Sequence, residues 1–557
     1  MLGTLLVLVS VMTPNQSDAI RVCQVGYLPD ETKFAMLVGK AAGPVEVREV
    51  GSNSKVTVLQ VGKAALDPST GDEVSLIDFS TLKRPGKYFI EIAGVGRSHP
   101  FEIGKGAFSR AYRLALRSFY GQRCGMDVDM SPDFPEYKYK ACHLDDAVYH
   151  ASSGKTGTKK CLGGWHDAGD YGRYIVNSGI TTATLLWTSE LYGSKINKLK
   201  LDIPDSKPGV PDILTEVKWN LDWMLTMQDD DGGVWHKLTT ANFPGFIMPA
   251  EDKQPSYIIG IGTAPFKNTT ATADIAATCA IAGRVYKQFD KAYADKCLAA
   301  AKRAWNWAIA NPTVRYQRNP QGIATGGYGD DNPSDEILWA AAELFRTTGE
   351  KVYNDYFLAN YSRWKPTVNG DKPQGWPEVN NLAMYTYALS NRKETDKTAV
   401  ATIKADSIKA ADGIVKKSQA NGYRIPLKPD EYYWGSNSVV ANYAMMLQIA
   451  SRFQAKPAYR DSALDMIHYI MGRNTFNTSY VTRVGTKWAM RPHHRPSAAD
   501  KIDQPWPGLI VGGPNSDRKT TPPPARHWND EEGSYTTNEN AINWNAPLVF
   551  ILAGTLP

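Results

Sequence analysis

Residues 107–123 read AFSRAYRLALRSFYGQR. Phe108, Tyr112, Ala115 and Phe119 recur at alternating intervals of four and three, a spacing that predicts a helix. This stretch divides two textures. Ahead of it lie the short apolar or alternating segments KFAMLVG (33–39), VEVREV (45–50), VTVLQV (56–61), VSLIDFS (74–80) and GKYFIEIA (86–93), separated by Gly, Pro, Asp and Asn. Such spacing predicts a small all-β sandwich over residues 20–105. Beyond it, from 106 to 557, about a dozen helical stretches are divided by Gly-, Pro- and Asn-rich loops. Several, such as ATADIAATCAIAGRVYKQF (271–289) and NSVVANYAMMLQIASRF (437–453), are apolar on more than one face, as helices packed between neighbours must be. A dozen paired helices fit a large all-α barrel with an inner and an outer ring, its site built from loops at one end.

The 557 residues exceed one ordinary domain, and 22% charged with 42% hydrophobic residues describe a soluble globular chain. A formal charge of +6 with no basic stripe excludes a nucleic-acid partner. The first residues, MLGTLLVLVSVMTPNQSDA (1–19), form an apolar run of signal-peptide length ending in small and polar residues, too short to span a bilayer, so secretion and no membrane partner are expected. The 15 Trp and 28 Tyr often neighbour Gly, Asn or Asp. That pattern suits a groove in which sugar rings stack on aromatic faces, although core packing explains a single ring equally well.

Three loops concentrate polar chemistry: GGWHDAGDYGRY (163–174), with Asp167 and Asp170 three residues apart; MGRNTFNTSYVTRVG (471–485) followed by RPHHRPS (491–497); and HWNDEEGSYTTNENAINWNA (527–546). Turn formation alone would account for the Asp and Gly of the first. Taken in this order, the three segments resemble the signature segments of glycoside hydrolase family 9, the inverting cellulases. The likeness runs from about residue 106 to the end and includes GVPDILTEVKWNLDWMLTMQ, GGVWHK, DEILWAAAEL and YYWGSN. The segment beginning IRVCQVGYLP resembles the immunoglobulin-like domain that precedes the barrel in one branch of the family.

The resemblance implies a multidomain chain, an immunoglobulin-like β-sandwich followed by an (α/α)6 barrel that hydrolyses β-1,4-glucan. Inversion needs one carboxylic acid to protonate the leaving oxygen and one carboxylate to deprotonate a water, about 6.5–9.5 Å apart. By likeness, Asp170 is the general base, Asp167 helps hold the water and Glu539 is the general acid. Asp530 matches a position assisting the acid region, though beside Glu531 and Glu532 it also reads as a solvated charge run. His493 and Arg495 match sugar-binding positions beside the scissile bond. His236, Trp376, Trp434, Tyr535 and Trp544 are candidate sugar platforms, and for Trp376 core packing is an equal reading. Some members carry Arg-Tyr after the WGS segment where this chain has Ser438 and Val439, which leaves subsite number and product open.

Cys124, Cys142, His143 and His166 supply two thiolates and two imidazoles, a set suited to a closed tetrahedral zinc site. The resembled branch carries a structural zinc with this pattern. A Cys124–Cys142 disulfide is the alternative in a secreted protein. In GGYGDDNPSDE, Asp331, Asp335 and Glu336 supply hard oxygen ligands for calcium, which related members bind at the matching Asp-Glu pair. Complementation of a helix dipole explains Asp335 and Glu336 without an ion. The expected protein is a secreted, monomeric endo-β-1,4-glucanase acting on cellulose or mixed-linkage glucan. Its rivals are an exo-acting enzyme on cello-oligosaccharides or glucosamine oligomers, and a non-catalytic carbohydrate-binding protein.

Overall fold

The computed structural model describes residues 15–41, 43–364 and 372–557. Its N-terminal part is built from β1 (Ile20–Arg21), β2 (Gly26–Tyr27), β3 (Phe34–Val38), β4 (Val45–Glu49), β5 (Lys55–Leu59), β6 (Ala65–Asp67), β7 (Asp72–Asp78), β8 (Gly86–Ile92), β9 (Gly96–Arg97) and β10 (Phe101–Ile103). One sheet has the order β1-β3-β7-β6 and the other β2-β10-β8-β4-β5, with β9 on β8. Alternation explains the facing: Val45 and Val47 point inward from β4 while Glu46 and Arg48 face outward. Residues ahead of Ile20 already belong to this domain. The Ser17 N–H donates to the Arg97 carbonyl (2.8 Å) and the Val38 N–H to the Ala19 carbonyl (2.9 Å). The folded domain therefore starts before the boundary read from sequence. Of the leader expected over 1–19, residues 1–14 lie outside the described residues.

The described residues then form twelve helices of nine residues or more: α1 (Ser109–Gly121), α2 (Ile175–Ile196), α3 (Asp212–Thr226), α4 (Thr269–Val285), α5 (Lys291–Ala310), α6 (Ser334–Thr348), α7 (Lys351–Asn360), α8 (Asn380–Ala388), α9 (Lys397–Ala420), α10 (Ser436–Phe453), α11 (Pro457–Ile470) and α12 (Ile542–Thr555). Composition sorts them into rings. Helix α4, rich in Ala and Thr, is buried at nearly every position, and Asn268 caps its N-terminus by accepting the Ala271 N–H at 3.0 Å. Helix α5 buries one stripe, Tyr293, Ala294, Cys297, Ala301, Ala304, Trp305 and Ala308, and leaves its lysines outside. The even-numbered helices form the inner ring: α12 packs on α2, α2 on α4, α4 on α6, α6 on α8, and α10 on α12.

A five-stranded sheet beside the ring was not legible in the sequence. Its strands are β13 (Ala147–Tyr149), β14 (Thr158–Lys159), β15 (Arg173–Tyr174), β16 (Lys237–Thr239) and β17 (Tyr257–Ile259), after a two-stranded ribbon of β11 (Val128–Asp129) and β12 (Lys138–Tyr139). Strands of two or three residues show no period.

The two domains share a hydrogen-bonded seam. Gln24 donates to the Asn477 carbonyl (2.8 Å) and accepts from the Lys487 N–H (2.8 Å). Asp72 accepts from Tyr423 Oη (2.6 Å), Thr475 Oγ1 (3.0 Å) and Arg526. His468 lies 3.2 Å from Glu31, both side chains fully buried. Burial lowers the imidazole and raises the carboxyl, so the pair is held neutral.

Candidate active site

The loops that enter inner helices α2, α6, α8, α10 and α12 meet around a cleft of about 750 Å³ lined by Asp167, Asp170, Tyr328, Trp376, Trp434, Glu539 and Trp544 among others. The loop of residues 163–174 runs into α2 through β15. Asp167 accepts from Tyr328 Oη (2.5 Å) and Asn177 Nδ2 (2.6 Å). Asp170 accepts on Oδ2 from the Gly172 N–H (2.9 Å) and Tyr174 Oη (3.0 Å). Burial, then the charge of Asp170, pushes Asp167 up to about 8 against the donors from Tyr328 and Asn177. Neither Tyr328, Tyr174 nor Asn177 stood out in the sequence; the Gly-Tyr-Gly of residues 327–329 was the available signal for the first.

The chain brings Glu539 to this loop through its backbone. The Ile542 N–H donates to the Asp167 carbonyl (2.8 Å), the Gly512 N–H to the Glu539 carbonyl (2.8 Å), and the His493 N–H to the Asn538 carbonyl (2.8 Å). Gly169 permits the approach: a Cβ there would stand 2.0 Å from the His493 carbonyl oxygen. Burial first, then Asp170 and Asp167, holds the Glu539 carboxyl well above the usual range.

His493 Nδ1–H donates to the Glu532 carbonyl (2.6 Å), and the ring sits 5.8 Å from that of Tyr535 between centroids. Arg495 donates to the carbonyls of Gly169 (2.6 Å) and Pro244 (2.9 Å), so it is bonded to the loops around the cleft. It also holds Phe243 and Phe246, 46% and 40% exposed, at the rim; these are sugar-platform candidates absent from the sequence reading. Trp434 and Tyr535 form an edge-to-face pair at 5.4 Å, and Trp376 meets Tyr328 edge-on at 5.2 Å.

One expectation is corrected by position. His236 does not reach the cleft: it is 1% exposed, stacked 3.7 Å from Tyr316, with its nitrogens bonded to the Gly327 carbonyl (2.6 Å) and Asn268 (3.2 Å). It supports the turn that leads to Tyr328. Asp530 accepts the backbone N–H groups of Met490 (2.7 Å) and Arg491 (2.9 Å) and Asn538 Nδ2 (3.0 Å), so it braces the His493 and Glu539 segments from behind. His494, left out of the sequence expectations, is likewise a buried brace between Gln122 and Ser497.

The four expected zinc ligands converge, with donor atoms within 4.8 Å of one another. The sulfurs are 3.9 Å apart, Cys124 Sγ is 3.6 Å from His143 Nδ1, and Cys142 Sγ is 3.7 Å from His166 Nε2. At the usual Zn–S length a tetrahedral S···S edge is about 3.8 Å, so the set fits zinc. A disulfide needs about 2.05 Å, and both cysteines are free thiols. Asp252 stands 3.5 Å from His143 Nε2, where an outer carboxylate orients a ligand imidazole. The acidic group at the start of α6 differs from its expectation. Asp335 and Glu336 are buried, and neither Glu336 oxygen has a hydrogen-bond partner among the described residues. Their charged neighbours are Asp330 and Asp274, whereas Asp331 is exposed. The buried unpartnered oxygens suit a hard cation; Asp331 is not part of that group.

The comparisons agree with this architecture. Residues 108–552 match the glycosyl hydrolase family 9 and residues 15–97 the cellulase N-terminal ig-like domain. The chain is 36% identical to endoglucanase D of Acetivibrio thermocellus over 96% of this chain and 83% of that protein. It is 35% identical to a cellodextrinase of Butyrivibrio fibrisolvens over 96% and 99% of the two. A zinc-binding triple mutant of the family 9 endoglucanase J30 superposes with a TM-score of 0.87 at 32% identity, covering 95% of this chain and 99% of that one. With an immunoglobulin-like domain, a double ring of helices and a carboxylate cleft in one chain, this protein belongs to glycosyl hydrolase family 9.

Proposed function

We propose that the protein is a secreted endo-β-1,4-glucanase that cleaves cellulose or mixed-linkage β-glucan with inversion. The observation that carries the reading is that Asp167, Asp170 and Glu539 line one cleft with Trp376, Trp434 and Trp544. In this reading the rings stack the glucan and fix its register. Asp170, oriented by the Gly172 amide and the Tyr174 hydroxyl, takes a proton from a water. Asp167, oriented by Tyr328 and Asn177, holds that water. The water oxygen forms the new bond to the anomeric carbon while the glycosidic bond breaks, and Glu539, whose proton is favoured by burial and by the neighbouring Asp170 and Asp167, gives that proton to the departing oxygen. His493 and Arg495 flank the bond, with Phe243, Phe246 and Tyr535 at the rim. A polymer substrate fits secretion, and no described helix is long and apolar enough to cross a membrane.

Cys124, Cys142, His143 and His166 would hold zinc, which supplies a cross-link bracing the strand before Asp167. Asp335 and Glu336, with Asp330 and Asp274 beside them, would hold calcium at the entry of α6. Proton NMR of the first products tests the reading. The α-anomer is expected from β-linked cello-oligosaccharide; initial β-anomer would exclude Asp170 as a base acting on water. A rapid loss of viscosity in a soluble cellulose derivative, ahead of reducing-end release, is expected of endo attack, and steady release of one small sugar would instead mean exo action.

A further inference from the structure

We propose that Lys237 is a positioning residue for the general base, acting on Asp170 through the Thr325–Gly326 turn and Tyr174. The inference rests on the reading of Asp170 as base. Lys237 and Tyr174 are direct partners across β16 and β15. The lysine is fully buried. Its Nζ donates to Asn319 Oδ1 (2.6 Å), the Gly326 carbonyl (2.6 Å) and Thr325 Oγ1 (3.2 Å). Three neutral acceptors use all three ammonium protons, and among the described residues no carboxylate pairs with it. Burying a cation without a counter-ion is expensive, and filling the space alone would need only a methionine.

The turn gripped by Lys237 supplies the connection. The Gly326 N–H donates to Tyr174 Oη (3.2 Å), and that hydroxyl donates to Asp170 Oδ2 (3.0 Å). With its oxygen engaged by Gly326, the single phenolic proton is aimed at the carboxylate. Gly172 leaves room for this contact, since a Cβ there would stand 2.5 Å from Tyr174 Oη and 2.7 Å from Asp170 Oδ2. The ammonium also lies 5.6 Å from the Tyr174 ring centroid and 5.8 Å from that of Tyr316. The other titratable groups on this side are His236, which burial lowers to about 3, and Asp167 beyond Tyr328. Burial draws Lys237 down to about 7, and the charge of Asp170 opposes that fall.

Lys237→Met and Tyr174→Phe test this on a soluble cello-oligosaccharide, with folding followed by thermal midpoint. Both variants are expected to lower kcat about tenfold or more with KM within about twofold, and to move the acid limb of kcat/KM about one pH unit upward. Lys237→Arg, which keeps the charge, should recover most of the limb position. An acid limb that stays in place in either Lys237→Met or Tyr174→Phe overturns the proposal, whatever the loss of rate. Should Lys237→Met not fold, Tyr174→Phe removes one oxygen only and decides alone. Asp170→Asn separates the two levels: retained turnover there would remove the base assignment itself, whereas an inactive Asp170→Asn with an unmoved limb in Tyr174→Phe would remove only the role of Lys237.

Discussion

At the scale of single residues, the proposed acid, Glu539, and the proposed base, Asp170, differ in what surrounds them. Glu539 is walled in beside two carboxylates, while Asp170 receives an amide and a hydroxyl. An acid must be protonated, so kcat/KM falls as pH rises through the raised folded-state value of Glu539. The alkaline limb is therefore expected well above the ordinary carboxylate range. Glu539→Gln should cut kcat by about 10²- to 10⁴-fold on cello-oligosaccharides and recover part of it on substrates with activated leaving groups, which need no proton. Asp170→Asn should show no such recovery; steady-state rates on both substrate types make the contrast. Gly169→Ala would drive a methyl into the His493 carbonyl, and a loss of about 1–3 kcal/mol is expected in denaturant unfolding, with falling activity as the two loops part. The Asp pair and Glu539 were legible because their motifs are long. His236 was misplaced because a histidine beside a tryptophan reads alike in a cleft and in a core.

Among elements, the loop of residues 163–174 depends on what lies behind it. His166 precedes Asp167 directly, and its Nε2 faces Cys142 Sγ at 3.7 Å. Zinc at the four ligands would tie this loop to the turn after α1 at Cys124 and to the loop after β12 at Cys142. About one zinc per chain is expected by elemental analysis, and Cys124→Ser should lose the metal and lower the thermal midpoint while leaving the pH profile of the remaining activity in place. A chain without zinc and with an unchanged midpoint in Cys124→Ser would refute the brace. The same sheet that carries Tyr174 and Lys237 was invisible to periodicity, because two-residue strands are defined by their partners.

For the whole molecule, the sandwich is a structural partner of the barrel. Asp72 reaches across the seam to Tyr423, Thr475 and Arg526. Asp72→Ala leaves the buried Tyr423 and Thr475 hydroxyls without their acceptor and frees the exposed Arg526 guanidinium, and a loss of about 1–3 kcal/mol is expected. Because none of Asp72, Tyr423, Thr475 and Arg526 lines the cleft, kcat/KM at 25 °C should be preserved while the thermal midpoint drops; equal loss of both would mean that the seam shapes the cleft.

Local periodicity sufficed for the sandwich segments VEVREV and GKYFIEIA and for helices such as α1 and α5, since each depends on neighbours a few residues away. The sequence motifs also marked Asp167, Asp170, Glu539 and the four metal ligands. Tertiary structure alone decided that His236 and Asp530 stand behind the cleft, that Asp331 faces solvent, and that Tyr174, Tyr328, Lys237 and Phe243 belong to the site. These assignments depend on contacts between segments about 40–330 residues apart, such as Asp530 on Met490, Tyr328 on Asp167 and Arg495 on Gly169. Burial and charge at such positions arise only when the rings of helices close, so no window along the chain contains them.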